Sequence, residues 1–175
     1  MVLHIFTDGS CINNGKADAR GGIGIYMVEL DYRYWQSYVV EEPTNQRCEL
    51  YAILKALETY INYYMENGGY KDVVVYSDSM YSINAATKWI KDWRKRGWKT
   101  AGKGDVKNLW LIQQIDYLQG LYEKLGIKLE YRFVKAHRKE PEREDEGYFE
   151  WEGNDIVDKL AKKGADNVRK LFYNR

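Results

Sequence analysis

Along the chain the spacing of apolar positions changes period several times, and each change marks an element. VLHIFTD, ending at Asp8, is a mostly apolar run closed by Gly9 and Ser10, the pattern of a buried strand. GGIGIYMVEL from Gly21 and YRYWQSYVV from Tyr32 are rich in aromatic and β-branched residues and are separated by a polar turn near Asp31, so they predict an antiparallel meander with the first strand. From Thr44 the period becomes helical. Leu50, Ile53, Leu54, Leu57 and Ile61 share one face, Thr44 or Asn45 can cap the start, and Gly68-Gly69 can stop the helix.

DVVVYSD, ending at Asp78, predicts a further short strand that runs into a helix through Trp89. The polar stretch 91–108 carries Gly97, Gly102 and Gly104 and leads into a helical LWLIQQIDYLQGLYEKL. KLEYRFVKAH predicts a last strand and NDIVDKLAKKGADNVRKLF a last helix, with Asn154 placed as its cap. Strands joined through helices run parallel. The expected architecture is therefore α/β: a mixed five-stranded sheet, three strands antiparallel and two added in parallel, with helices on both faces.

Composition narrows the class. The length of 175 residues suits one domain with a substantial core, and only two prolines and 45% hydrophobic residues leave no linker or disordered tract in view. MVLHIFTDGS lacks the basic and apolar regions of a leader, and no run is long enough to cross a bilayer, so the expected setting is intracellular, cytoplasmic or nuclear. Cys11 and Cys48 stand apart without a CxxC partner and predict reduced thiols rather than a zinc site. The net charge of +1 hides two opposed patches. Residues 88–107 hold eight basic and two acidic side chains, whereas 138–158 hold three basic and nine acidic ones. A polyanion would be drawn to the first.

Four carboxylates stand where chemistry collects in such a sheet. Asp8 and Asp78 end strands, and Glu49 and Asp158 lie in the early turns of helices, so all four can reach one mouth of the sheet. Clustered, they would repel one another unless cations neutralised them. Mg²⁺ suits that setting because it takes few carboxylates and leaves room for phosphate oxygens, and two ions about 3.5–4 Å apart clamp the attacking and leaving oxygens of a displacement. Taken singly, each of these aspartates also suits a turn or a cap. Periodicity alone leaves their convergence open.

Their contexts decide more. TDGSC, TNQRCEL, YSDSMYSINAATKWIKDWRKRGWKT, and VKAH followed by GNDIVDKLA, in that order, resemble the motifs of a type 1 ribonuclease H, closest in form to its cellular eukaryotic branch. The resemblance covers nearly the whole chain and implies a ribonuclease H-like fold over residues 1–175. It implies no preceding hybrid-binding domain, a basic protrusion at about 91–108 and an acidic loop insertion at about 138–153. It further implies an endoribonuclease that cuts the RNA strand of RNA–DNA hybrids and leaves 5′-phosphate and 3′-hydroxyl ends. Asp8, Glu49, Asp78 and Asp158 would hold two Mg²⁺ ions, with Mn²⁺ as a substitute, and His137 would assist proton movement or product release.

Substrate contacts carried over by the same resemblance are Cys11, Asn13, Asn14, Asn45, Gln46 and Met80 toward the RNA 2′-hydroxyls, and Thr44, Trp93, Thr100 and Asn108 toward the DNA strand. Asn13 and Asn14 also suit a tight turn, Asn13 equally well. Glu42 departs from the pattern, since related enzymes often carry an arginine there that helps hold a DNA phosphate. GWKTAGKG, from Gly97, nearly spells a phosphate-binding loop but ends in Gly104 where Ser or Thr is required, so no nucleotide cofactor is expected. The implied partner is an RNA–DNA hybrid, with no membrane association and a monomeric state. The 21-position gap between His137 and Asp158 is long for the family. It reads as a lid partly anchored through Tyr148, Phe149 and Trp151.

Overall fold

The protein's structure, a computed structural model, describes residues 1–173, with side chains through Val168. Strands β1 (Val2–Ile12), β2 (Arg20–Met27) and β3 (Tyr32–Tyr38) form the expected meander, followed by helix α1 (Asn45–Asn67) and strand β4 (Asp72–Ser77). Helix α2 (Met80–Asn84) continues through a π-helical stretch (Ala85–Trp89) into α3 (Ile90–Lys95); α4 (Leu109–Lys124), β5 (Lys128–Phe133) and α5 (Tyr148–Tyr173) complete the chain. The sheet order is β3-β2-β1-β4-β5, with β1 parallel to β4 and β4 parallel to β5. This is the mixed five-stranded sheet that the apolar pattern predicts.

The larger core lies between the sheet and α1 and α4, where Leu3, Ile5, Ile53, Leu57, Tyr60, Ile112 and Tyr122 are essentially inaccessible. The opposite face is covered by α5 over a smaller cluster containing Phe6, Tyr76 and Val157. Successive β1 residues divide between the two, as strand alternation requires: Leu3 and Ile5 join the first cluster and Phe6 the second. Two missing side chains set the depth of α5. A Cβ on Gly22 would lie 2.2 Å from the backbone nitrogen of Ala165, and one on Gly24 would lie 2.4 Å from the Val157 carbonyl. Only bare backbone lets the helix settle this close.

Thr44 is the N-cap of α1, its Oγ1 accepting from Arg47 N at 3.1 Å, and Gly68 ends the helix at φ 70°. Three expectations change. The helix after Asp78 runs beyond Trp89 to Lys95, carried through the π-helical stretch, inside which Thr87 Oγ1 donates to the Ile83 carbonyl at 2.7 Å. The acidic run is not loop through Gly153, because α5 begins at Tyr148. Asn154 is consequently no cap: it sits inside α5 and is 8% exposed. Gly153, a weak helix former, stands beside it because a Cβ there would meet the Phe6 ring at 2.3 Å.

Candidate active site

The geometry begins with the register of β1. Asp8 pairs with Gly24, the glycine on which Val157 rests, so the next α5 residue, Asp158, is brought to the same end of the strand. On the other side, Gly9 lies against the Cys48–Glu49 peptide, where a Cβ would come within 2.3 Å of Glu49 N. That contact brings the first turn of α1 onto the end of β1. Asp78 follows β4, the parallel neighbour of β1, and joins from the adjacent strand end.

Asp8, Glu49 and Asp78 each offer a carboxylate oxygen within 4.8 Å of the other two. Burial, and then the negative charge of Asp78, hold the Asp8 carboxyl well above the usual range. Burial followed by the charges of Asp8 and Asp78 raises Glu49 in the same way. Both groups therefore hold protons more tightly than isolated carboxyls do while no cation is present. Asp78 is raised by burial, and hydrogen bonds from Glu49 and Asn154 offset part of that.

Asp158 stands slightly apart from the trio. Its Oδ2 accepts from Lys162 Nζ at 2.8 Å, while its negative charge still raises both Asp8 and Asp78. His137 is exposed, lies after β5 at φ 53°, and shares a cleft of about 50 Å³ with Asp158, Asn154 and Trp151. Asn154 is the residue that sequence reasoning misplaced. It lies beside Asp78 and favours that carboxylate's charged form, and its Oδ1 is buried without a partner among the described residues. The position four before Asp158, one helical turn, was a usable signal.

A divalent cation fits this donor set. The oxygens are all carboxylate, hard and mutually close, and Glu49 Oε2 is buried with no hydrogen-bond partner among the described residues. An unsatisfied buried acceptor facing two other carboxyls is costly unless a cation meets it.

The residues expected to meet substrate fall into two groups. Asn14 Oδ1 accepts from Asn45 N at 3.2 Å, joining the β1–β2 turn to the start of α1, where Gln46 follows with its Oε1 buried and without a partner among the described residues. Asn13, at φ 56°, spends its amide on Asp18 at 2.9 Å, as a turn residue does. Cys11 is half-buried at the end of β1, and Met80, 47% exposed, opens α2. On the second group, Thr100 Oγ1 accepts from Gly104 N at 3.1 Å and Asn108 donates to Tyr81 Oη at 3.0 Å. Trp93 packs against the core with its ring 5.8 Å from that of Trp89. Thr44, Asn13, Thr100 and Asn108 thus all hold backbone or neighbouring side chains in place. Beside Glu42, Arg47 donates through Nη1 to the Glu42 carbonyl at 2.7 Å and pairs through Nε with Glu41 at 3.2 Å.

Buried carboxyls converging at the ends of two parallel strands, roofed by two helices of a mixed sheet, define a cation-dependent hydrolase of phosphate esters. The chain belongs to the RNase H family, whose model matches residues 2–166. It is 37% identical to Ribonuclease HI of Haemophilus ducreyi, over 94% of this chain and 91% of that protein. To Ribonuclease H1 of Rattus norvegicus it is 30% identical, over 92% of this chain and 49% of the relative, so it spans about half the length of that protein. Among solved structures, LC9-RNase H1, a type 1 RNase H with the type 2 active-site motif, superposes with a TM-score of 0.68 at 23% identity over 95% of this chain and 72% of that one. LC11-RNase H1, solved in complex with RNA/DNA hybrid, superposes with a TM-score of 0.58 at 18% identity over 95% and 98% of the two chains. The protein is a ribonuclease H, an endonuclease acting on the RNA strand of RNA–DNA hybrids.

Proposed function

We propose that Asp8, Glu49, Asp78 and Asp158 hold two Mg²⁺ ions with the hybrid in place, that Mn²⁺ substitutes, and that cleavage leaves 5′-phosphate and 3′-hydroxyl ends. The observation that carries this reading is the triad of carboxyls within 4.8 Å, two of them buried. When bound, the cations supply positive charge to the phosphate oxygens and acidify the attacking water. Asp8 and Glu49, raised by their withdrawal from water, are the groups whose protons a bound cation would displace. Asp158, partly buried and paired with Lys162, completes the set from the solvent side.

His137, on the exposed rim of the same cleft, exchanges a proton with the departing strand. Cys11, Asn14, Asn45, Gln46 and Met80 line the approach of the RNA strand, where amide groups and a soft apolar side chain suit a minor groove displaying 2′-hydroxyls. Asn13 supports that surface from its turn. Thr44, Trp93, Thr100 and Asn108 serve the DNA strand, with Arg47 standing in near Glu42 for a missing phosphate ligand. The hybrid found with LC11-RNase H1 supports this substrate for the present chain.

The test is a panel of labelled hybrid, DNA duplex and RNA duplex with Mg²⁺ or Mn²⁺. Cutting confined to the RNA strand of the hybrid, with phosphate at the 5′ end of each product, is expected. Equal cutting of all three substrates, or turnover undiminished in Asp78→Asn, would overturn the assignment.

A further inference from the structure

We infer that Trp151 is a positioning residue for His137. The inference rests on the reading of His137 as a participant in turnover and deepens it. The first observation is the backbone at His137, which is left-handed at φ 53° although the residue carries a Cβ. Such a conformation is uncommon for a residue other than glycine and persists where neighbours hold it. The second is what holds it: the carbonyl of the next residue, Arg138, accepts from Trp151 Nε1 at 3.1 Å.

Trp151 is itself fixed. It lies in the first turn of α5, its backbone nitrogen bonded to the Gly147 carbonyl at 3.1 Å and its ring 5.6 Å from that of Tyr148. The segment before it is wound into turns, Asp145 N to Glu142 O and Tyr148 N to Asp145 O, both at 3.0 Å. Phe149 fastens the same turn to the sheet, edge-on to Phe6 at 5.5 Å and to His4 at 5.1 Å. Upstream, Val134 N bonds to Ser77 O at 2.9 Å and ties the exit of β5 to β4.

His137 is thus held between a fixed strand exit and a fixed helix start, and the indole bond joins the two. The two-turn stretch of α5 from Tyr148 to Gly153 works as a brace. The indole also walls the cleft of about 50 Å³ that His137 shares with Asp158, a volume sufficient for water between them.

The experiment compares Trp151→Phe, which keeps a ring and removes the N–H, in the native and His137→Ala backgrounds. Loss of one such bond lowers kcat by about 3- to 10-fold with KM for the hybrid unchanged. No further loss is expected in the His137→Ala background. The His137 backbone amide resonance of the cation-free protein should shift in Trp151→Phe. Ile112→Val, in the core on the opposite face of the sheet, controls for general loosening: it lowers the melting temperature while kcat stays within twofold. Native kcat in Trp151→Phe, equal losses in both backgrounds, or a matching loss in Ile112→Val would each overturn the inference. Undiminished turnover in His137→Ala would instead refute the role of His137 itself.

Discussion

Gly9 and Glu49 touch through backbone alone: a Cβ on Gly9 would lie 2.3 Å from Glu49 N and the same distance from the Cys48 carbonyl carbon. Glu49 reaches Asp8 because β1 and α1 are this close. Gly9→Ala must push the helix away by an ångström or more. We expect a loss of about 1–3 kcal/mol by chemical denaturation, from overpacking against backbone that cannot rotate aside. We expect hydrolysis to fall further than stability does, by about 10²-fold, because the carboxyls move apart. Native-like turnover in this variant would show that the spacing of Asp8 and Glu49 is not set here.

The raised carboxyls make stability depend on pH. Burial lifts Asp8 and Glu49 well above their unfolded values, so between those values and the folded ones the native state binds more protons than the unfolded chain. Their contribution is present at acid pH and lost as pH rises through the folded values. Glu49→Gln removes the buried acid and keeps its shape. Relative to the native protein without cations, this variant should gain stability on going from pH 5 to pH 8, by about 1 kcal/mol, while losing activity. Added Mg²⁺ should raise the melting temperature of the native protein at pH 8 and not that of the variant. A difference between the two proteins that does not change with pH would contradict the raised titration of these buried carboxyls.

Much of this was legible in the sequence, and what was not has physical reasons. The order of elements along the chain followed from the apolar runs and from Gly68-Gly69, since both depend on local chemistry. The carboxylates were found through their contexts, while their convergence depends on Gly9 and Gly24, whose role is visible only once α1 and α5 are seated. The start of α5 was obscured because Gly153-Asn154 looks like a helix entry. Gly153 is instead a clearance for Phe6, and Phe149 and Trp151 are apolar contacts within an acidic run. The π-helical stretch at Ala85–Trp89 carries no sequence signature that distinguishes it from an α-helix.

Asn154 gives the third prediction. Its amide supports Asp78 from a buried position in α5. Outer partners of ligating carboxylates commonly matter by 10- to 100-fold, so Asn154→Ala should weaken Mg²⁺ binding by about 10-fold in calorimetry. Melting of the cation-free protein should change by less than the loss of a core side chain would produce. Unaltered Mg²⁺ affinity would leave Asn154 a packing residue only.

The basic segment is not uniformly available to phosphates. Arg94 Nε is paired with Asp116 at 3.4 Å, and Lys99 with Asp105, whereas Lys95 and Arg96 have no ion-pair partner among the described residues. Each cation that neutralises a phosphate adds to the salt dependence of binding, by roughly 0.7–0.9 in the slope of log K against log salt. Lys95→Gln with Arg96→Gln should therefore lower that slope by about 1–2, reducing hybrid affinity most at low salt. Arg94→Gln should leave the slope nearly unchanged and cost about 0.5 kcal/mol or less of stability, as an exposed pair does. Titrating catalytically inactive Asp78→Asn protein with labelled hybrid at several salt concentrations separates the two. If Arg94→Gln flattens the slope as much as the double variant, the pair with Asp116 opens on binding and the whole face of α3 meets the phosphates.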